Sequence, residues 1–239
     1  MRGLSISLFS TRVVAAFVLP GRKSVFARSL AMSAEGEIKA SRGDGQGGDG
    51  TVLLPQNGQY DSVVLWMHGL GDSANGWAPA MPALNLPTTK FILPTAEDTP
   101  ITINGGMEMP GWFDLYGLDP SSPEDVAGFE KSTARIMALI NAEVQGGIPA
   151  SRIAVCGFSQ GGALALHVGL RGLAAGSGSG EGGKSFAGVA ALSAWLPLRD
   201  TYPGALGPGA AELPILQCHG DADQVVNYAW GKGSFLLLA

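Results

Sequence analysis

The chain has 239 residues, of which 46% are hydrophobic and 15% charged, and its formal net charge is −5. This composition excludes a disordered polyelectrolyte and is typical of one sizeable folded unit. The negative charge argues against nucleic-acid binding, and every apolar run is shorter than the roughly 18 residues of a membrane-spanning helix.

The first 34 residues differ in charge from the rest of the chain. They carry five basic residues and no acidic residue, whereas all 20 acidic residues lie from Glu35 onward. Such an arginine- and serine-containing lead is typical of an organelle transit peptide. A disordered tail and an extension upstream of Met32 are the alternatives. Residues 36–50 hold six glycines, so we predict a linker there, with a disordered lead over 1–50 and a folded domain over 51–239.

Beyond residue 50, apolar runs typical of buried strands alternate with helical patterns. A helix start at Ser121–Asp125 precedes apolar residues spaced by three and four, and Gly146 ends that helix. A second helix runs from Gly161 to Leu173, followed by a flexible surface loop over 176–183. The alternation predicts an α/β fold with a mostly parallel sheet and helices on both faces. The predicted strands cover residues 61–67, 90–94, 152–156, 186–192 and 214–218.

The segment Gly157-Phe-Ser-Gln-Gly161 matches the pattern G-x-S-x-G, which alone is a weak signal in a glycine-rich chain. Its context strengthens it, because a predicted strand ends at Cys156 and a helix begins beside Ser159. A serine on such a turn projects its hydroxyl above the carboxyl edge of the sheet, where the helix N-terminus favours negative charge. We predict that Ser159 is a nucleophile for acyl transfer; an ordinary turn serine is the alternative.

A second glycine motif, His68-Gly-Leu-Gly-Asp72, directly follows a predicted strand. The tetrahedral intermediate of acyl transfer needs two backbone N–H donors, one after the nucleophile and one from an earlier loop. Gln160 and Leu70 fit these two positions. Gly69 to Ala74 also fits a dinucleotide fingerprint, but Gly76-Trp77 and Pro79 interrupt the helix that such a site requires. We therefore predict an oxyanion loop and no nucleotide cofactor.

A third motif, His219-Gly-Asp-Ala-Asp223, follows the last predicted strand. An acid on this loop is where the chain order Ser…Asp…His places the carboxylate that orients the base. We favour Asp223 over Asp221 because the later residue reaches further from the strand; a turn aspartate is the alternative. Nothing else supplies metal ligands here, and the two cysteines, Cys156 and Cys218, form no CxxC pair. We predict neither a metal nor a cofactor.

A serine hydroxyl needs a base within hydrogen-bond reach, and the base is the missing piece. The chain has three histidines, and none of them follows Asp223. His68 is better suited to a structural role, His167 lies roughly 12 Å along the helix from Ser159, and His219 ends a strand. We predict that the catalytic histidine is absent, that the chain is truncated after the acid loop without a further strand or helix, and that it is close to inactive.

Five segments together resemble the acyl-protein thioesterases, of the lysophospholipase/carboxylesterase group of α/β-hydrolases. The resemblance covers about residues 51–233, and the motifs are jointly far more specific than G-x-S-x-G alone. The segments are Leu65-Trp-Met-His-Gly-Leu-Gly-Asp72 with Gly76-Trp77, Met109-Pro-Gly-Trp-Phe-Asp114, Gly157-Phe-Ser-Gln-Gly-Gly-Ala163, Ala191-Leu-Ser-Ala-Trp-Leu-Pro-Leu198 and Ile215-Leu-Gln-Cys-His-Gly-Asp-Ala-Asp223.

The resemblance implies a serine hydrolase of the α/β-hydrolase fold that removes palmitate from protein cysteines and cleaves related esters. Its substrates would be S-acylated proteins and fatty-acyl esters, met in the cytoplasm with transient contact to a membrane surface; organelle import is the alternative location. By matching position it implies Ser159 as nucleophile, Asp223 as orienting acid, and Leu70 and Gln160 as oxyanion donors.

The apolar stretch from Ile101 to Leu115 suits an acyl-binding loop, with core cover as the alternative. The residues expected to bind the acyl chain are Trp112, Leu115 and Trp195.

Two departures from the family accompany this resemblance. Gln224 stands where the family usually has proline, and the closing strand, final helix and catalytic histidine have no counterpart. Their loss predicts an exposed sheet edge and an uncovered face. A non-catalytic acyl-binding protein on the same fold is therefore the alternative function.

Overall fold

The computed structural model describes residues 13–18, 38–172 and 185–238. Most of the predicted transit peptide over residues 1–34, and all of the predicted surface loop over 176–183, lie outside these ranges. Within the described ranges, no helix has both the length and the apolarity needed to cross a bilayer.

Ten strands and four α-helices make up the described part. An eight-stranded sheet has the order β1-β10-β9-β8-β4-β5-β3-β2, and β6 and β7 form a separate hairpin. The strands are β1 (Val13–Val18), β2 (Ile38–Arg42), β3 (Gly50–Pro55), β4 (Ser62–Met67), β5 (Thr89–Pro94), β6 (Asp98–Ile101), β7 (Met107–Pro110), β8 (Ile153–Phe158), β9 (Gly188–Leu192) and β10 (Ile215–Gly220). The helices are α1 (Ala74–Trp77), α2 (Val126–Gln145), α3 (Gln160–Arg171) and α4 (Tyr228–Leu238).

The five predicted strands correspond to β4, β5, β8, β9 and β10, and these pair in parallel. Each is an apolar run because a parallel strand is covered on both faces of its sheet. Helices α2, α3 and α4 pack on one face, and α1 packs on the other, over β3 and β5. The predicted fold class is therefore confirmed. Helix α2 was predicted to start within Ser121–Asp125. In the structure its N-cap is Asp125, whose side chain accepts the Gly128 N–H.

The predicted linker over residues 36–50 differs from the structure. Strand β2 pairs antiparallel with β3, and Arg42 lies opposite Thr51. The loop between them is held by Asp44, which is 2% exposed and bonds Arg135 at 2.9 Å. The glycines allow the positive φ angles of this tight connection rather than flexibility, so the folded part begins before residue 51.

The region around β10 also differs from the prediction. Strand β1 pairs antiparallel with β10, with Val13 opposite Gly220 and Val18 opposite Ile215, so β10 is not the exposed edge that we expected. Helix α4 follows the acid loop, where we predicted neither strand nor helix. The glycines in its sequence obscured it, because glycine lowers helix propensity. Tertiary packing stabilises it, since Trp230 stacks on Trp195 with ring centroids 4.5 Å apart.

Candidate active site

Strands β4 and β8 bring two of the predicted motifs side by side. They pair in parallel with Met67 opposite Gly157, so the chain leaves both strands at the same edge of the sheet. A Cβ added at Gly69 would lie 3.5 Å from the Cβ of Ser159. The predicted oxyanion loop and the predicted nucleophile are therefore direct neighbours.

Ser159 occupies a strained backbone conformation between β8 and α3. Its φ of 52° and ψ of −119° are unfavourable for a residue with a side chain. The turn is held by a hydrogen bond of 2.8 Å from the Ser159 N–H to the Leu192 carbonyl. A side chain at Gly161 would clash with the carbonyl oxygens of Met67 and His68. The glycine of the motif is needed because α3 begins against the end of β4.

The two predicted oxyanion donors are available for a ligand. Gln160 is the first residue of α3, and the N–H of a first helical residue has no carbonyl partner in its helix. In the described part of the chain, the Leu70 N–H has no hydrogen-bond partner either. The loop is held by its next residue, Gly71, whose N–H bonds the Pro110 carbonyl at 2.8 Å. Both amides could thus donate to an incoming oxyanion.

The side chains of Gln160 and Trp112 connect these segments. Gln160 Oε1 accepts the Trp112 N–H at 3.0 Å, and Gln160 Nε2 donates to the Phe113 carbonyl at 2.6 Å. Trp112 Nε1–H donates to the His68 carbonyl at 2.9 Å. Trp112 is 3% exposed and lies behind the oxyanion loop. This position differs from the channel-lining role that we predicted for it.

His68 is a structural residue, as its sequence position suggested. Its Nε2 accepts the Ala96 N–H at 2.9 Å, so the ring proton resides on Nδ1 and is donated to the Gly69 carbonyl at 2.6 Å. Burial lowers the pKa of His68. Both ring nitrogens are occupied, so this histidine cannot take a proton from Ser159.

Asp223 lies at the same edge of the sheet as Ser159, beyond the end of β10. Strand β9 separates β10 from β8, and the Ser193 N–H at its end bonds the Cys218 carbonyl at 2.7 Å. One carboxylate oxygen of Asp223 accepts the N–H groups of Val225 and Val226 at 2.9 and 3.0 Å. In the described residues, no bond joins Asp223 to Ser159. The structure brings the acid to the predicted edge, with its carboxylate engaged by its own loop.

The other two histidines are also occupied or remote. His219 is 4% exposed, its Nε2 donates to the Val226 carbonyl at 2.7 Å, and its Nδ1 packs against Gly231. His167 stacks on Phe129, and burial lowers its pKa to about 4. Within the residues that the structure describes, the Ser159 hydroxyl has no hydrogen-bond partner. Nucleophile and oxyanion amides are in place, and none of the three histidines serves Ser159 as a base.

A cavity is lined by Leu115 and Trp195, two of the predicted acyl-binding residues, and its lining does not include Ser159. Trp230 of α4 and Glu124 also line it. Burial raises the pKa of Glu124, although its carboxylate accepts the Leu198 N–H at 2.7 Å. In the ranges that the structure covers, no three or more His, Cys, Asp or Glu side chains group in a way suited to a metal ion.

Comparison with known proteins identifies the family. The family model described as phospholipase/carboxylesterase matches residues 50–234. The chain belongs to the phospholipase/carboxylesterase family. This confirms the predicted resemblance and the predicted enzyme class, a carboxylic ester and thioester hydrolase.

Named relatives of this family member are similar over most of its length. The acyl-protein thioesterase 1 of Mycosarcoma maydis is 43% identical over 195 residues, which cover 76% of this chain and 77% of the relative. The Neurospora crassa acyl-protein thioesterase 1 is 41% identical over 192 residues, covering 75% and 74% of the two chains.

Solved structures agree with the fold of this phospholipase/carboxylesterase family member. Zea mays acyl-protein thioesterase 2 superposes with a TM-score of 0.65 and 32% identity, over 78% of this chain and 82% of that one. Arabidopsis thaliana SOBER1 gives a TM-score of 0.65 and 30% identity, over 74% and 82%. These likenesses confirm the α/β-hydrolase architecture.

The sequence motifs of this family member did not reveal how Trp112 and Gln160 are used. The sequence pointed to the backbone amide of Gln160, but its buried side chain bonds a segment 48 residues away. In the sequence, Trp112 is one of several apolar residues in an apolar loop. Its partner is a main-chain carbonyl, which leaves no signal in sequence.

Proposed function

We propose that this chain hydrolyses long-chain acyl thioesters of protein cysteines and related carboxylic esters, with Ser159 as the nucleophile. The observation that carries the proposal is the strained Ser159 turn, set directly beside the glycine loop of β4. Strained backbone at such a turn is consistent with a side chain held for chemistry. The names of the relatives support the acyl thioester as the substrate class.

The proposed reaction is acyl transfer in two steps. The Ser159 oxygen adds to the carbonyl carbon of the thioester, its proton passes to water, and the amides of Leu70 and Gln160 stabilise the negative carbonyl oxygen. The cysteine thiolate then leaves, and water hydrolyses the acyl-serine. Leu115 and Trp195 would contact the acyl chain, since burial of each methylene contributes about 0.8 kcal/mol. Contact with a membrane surface would bring S-acylated proteins to the site.

Proton transfer from Ser159 is the step that we expect to limit the rate of hydrolysis by this chain. Asp223 would orient a histidine, but no histidine follows it in the 239 residues. Without a base, turnover falls by several orders of magnitude and retains only what the oxyanion amides and binding supply. We therefore expect weak hydrolysis by this chain as given.

The test is labelling of the chain with an alkyl fluorophosphonate, followed by hydrolysis of a palmitoyl thioester with and without added imidazole. We expect slow labelling at Ser159, faster in imidazole, which replaces the absent base. Ser159→Ala should abolish both signals. Ser193→Ala is the matched control, because Ser193 follows β9 at the same edge with a φ of 47°. Equal labelling of the Ser159→Ala variant would refute the proposal.

A non-catalytic acyl-binding protein is the second candidate function. It is favoured by the Ser159 hydroxyl, which has no hydrogen-bond partner in the described residues. This alternative predicts saturable binding of a non-hydrolysable palmitoyl analogue that Ser159→Ala leaves unchanged. It also predicts no thioester hydrolysis above that of imidazole without protein, which separates the two functions.

A further inference from the structure

One dipeptide, Trp112-Phe113, contacts both segments that carry the proposed oxyanion amides. The Trp112 indole N–H bonds the His68 carbonyl, two residues before the Leu70 amide. The backbone of the same dipeptide bonds both ends of the Gln160 side chain, through the Trp112 N–H and the Phe113 carbonyl. The position of this dipeptide therefore affects the distance between the two amides.

These hydrogen bonds lie in a dry part of the protein. Gln160 is 0% exposed, His68 1% and Trp112 3%. A hydrogen bond is stronger in such a medium, and loss of one partner leaves the other without water to replace it. The network therefore resists displacement of either amide.

The indole N–H of Trp112 is specifically placed, as two other tryptophans show. Trp66 and Trp77 are also packed in the core, yet their Nε1 atoms have no hydrogen-bond partner in the described part of the chain. Burial of an indole in this fold thus does not by itself supply an acceptor. The Trp112 ring must be oriented with its N–H towards the His68 carbonyl. Packing alone did not direct the N–H of Trp66 or Trp77 towards an acceptor.

The far side of Trp112 is fixed as well. The Ser132 hydroxyl of α2 donates to the Trp112 carbonyl. The Arg135 guanidinium lies 6.0 Å from the centre of the indole ring and is itself held by the Thr95 carbonyl at 2.7 Å and by Asp44 at 2.9 Å. Trp112 is thus held between helix α2 and the oxyanion loop.

We infer that Trp112 is a positioning residue, whose indole N–H and backbone set the separation of the Leu70 and Gln160 amides through His68 and the Gln160 side chain. The inference rests on the proposed function. An error of about 1 Å in such a site costs on the order of a hundredfold in rate, so small shifts of these amides matter. Trp112 acts through these residues and need not touch the substrate.

The test uses octylboronic acid, because it forms a tetrahedral adduct without turnover. The Ser159 oxygen forms a bond to boron, its proton passes to solvent, and the boron becomes a four-coordinate anion, which boron-11 NMR detects. The anion occupies the place of the tetrahedral intermediate, so its affinity reports the oxyanion amides. n-Octanol, which forms no such adduct, reports chain binding alone.

The decisive variant is Trp112→3-benzothienylalanine, which replaces the indole N–H by sulfur and keeps the ring shape. We expect the Kd of octylboronic acid to rise about tenfold and the Kd of n-octanol to stay within about twofold. Trp112→Phe also removes the N–H, with a natural residue, but replaces the indole by a smaller ring. The matched control is Trp66→3-benzothienylalanine, which removes an N–H that has no partner and should leave both constants unchanged.

The outcomes separate the two proposals. If Ser159→Ala weakens octylboronic acid binding but the Trp112 variants do not, the proposed function stands and the positioning role is wrong. Equal loss of octanol and boronate affinity would mean that Trp112 only supports the fold, which also overturns the positioning role. If Ser159→Ala binds octylboronic acid as well as the unmodified chain, the nucleophile assignment fails, and this inference fails with it.

Discussion

The nucleophile region, residues 68–72 and 157–161, is held differently from the acid region, residues 219–226. In the nucleophile region, side chains bond across long stretches of chain: Trp112 reaches Gln160 over 48 residues and His68 over 44. In the acid region, Asp223 bonds amides two and three residues ahead, and His219 bonds a carbonyl seven residues ahead. The nucleophile region is held by contacts between distant parts of the chain, whereas the acid loop is held mainly by hydrogen bonds among its own residues.

This difference indicates which part of the chemistry is already assembled. The buried network around Ser159 holds amides for an oxyanion before any substrate arrives, which is the requirement for electrostatic stabilisation. The Asp223 carboxylate accepts amides of its own loop, and the one histidine near it, His219 at 3.7 Å, is not directed at Ser159 in the described residues. We therefore expect changes in the nucleophile region to be costly and changes in the acid loop to be mild.

The largest expected effect comes from Gly161→Ala. The added methyl would meet the carbonyl oxygens of Met67 and His68, which belong to the rigid sheet and cannot move aside. We expect a loss of more than about 3 kcal/mol in the free energy of unfolding, measured by urea denaturation. Gly233→Ala in α4 is the control, since nothing lies within 4 Å of its added Cβ. It should stabilise the chain by about 0.5 kcal/mol; similar losses in both variants would contradict the comparison.

A pH-dependent effect is expected from His167, on the helix that carries the nucleophile. Burial lowers its pKa from 6.5 to about 4, so the unfolded chain binds this proton more readily than the folded one. The contribution of neutral His167 to the free energy of unfolding is therefore fully present above pH 6.5. It falls by up to about 3 kcal/mol as the pH drops towards about 4. His167→Leu should remove this part of the pH dependence in urea unfolding. An unchanged pH profile in the variant would show that folding does not lower the pKa of His167.

A smaller effect is expected from Asp44→Asn, behind Trp112. Burial disfavours the charged form of Asp44, but the Arg135 guanidinium and the N–H groups of Gln46 and Gly48 outweigh it and hold its pKa below 3.8. The charged form thus stabilises the fold above 3.8, and that contribution disappears as the pH falls through the lowered pKa. We expect a loss of about 2 kcal/mol near neutral pH.

The control for Asp44 is Asp49→Asn in the same loop, because Asp49 is exposed and forms no ion pair within the described residues. It should change stability by less than about 0.5 kcal/mol. The difference in the free energy of unfolding between the Asp44 variant and the unmodified chain should decrease at acidic pH. A difference that persists well below 3.8 would mean that the ion pair with Arg135 is not its source.

The smallest effect is expected from Asp223→Asn. The asparagine oxygen can still accept the amides of Val225 and Val226, so stability should change by less than about 0.5 kcal/mol. His219 Nε2 lies 3.7 Å from the Asp223 carboxylate but donates to the Val226 carbonyl. Because no base links Asp223 to Ser159 in the described part of the chain, weak thioester hydrolysis should change less than about twofold. A loss of tenfold or more in the rate would show that a base engages Asp223 and that the acid region is catalytically assembled.

Particular elements show how far the sequence could be interpreted. The parallel strands were predictable because each is an apolar run next to a helical pattern, and the Ser159 turn was predictable from its glycines and flanking elements. Strand β2 was missed because glycine-rich composition suggests a linker. Its loop is fixed by an ion pair between Asp44 and Arg135, which are 91 residues apart. Helix α4 was missed because its stability comes from stacking on Trp195 rather than from propensity.

The sequence by itself determined the five parallel strands, helices α2 and α3, the serine turn and the glycine loop, because each depends on residues within a few positions of one another. Only the tertiary structure decided that Trp112 bonds the His68 carbonyl, that β2 and β1 extend the sheet, and that His219 points into its own loop. These contacts depend on orientation and on partners distant in the chain, many of them main-chain groups that every residue carries. Such partners become identifiable only when the chain is packed in three dimensions.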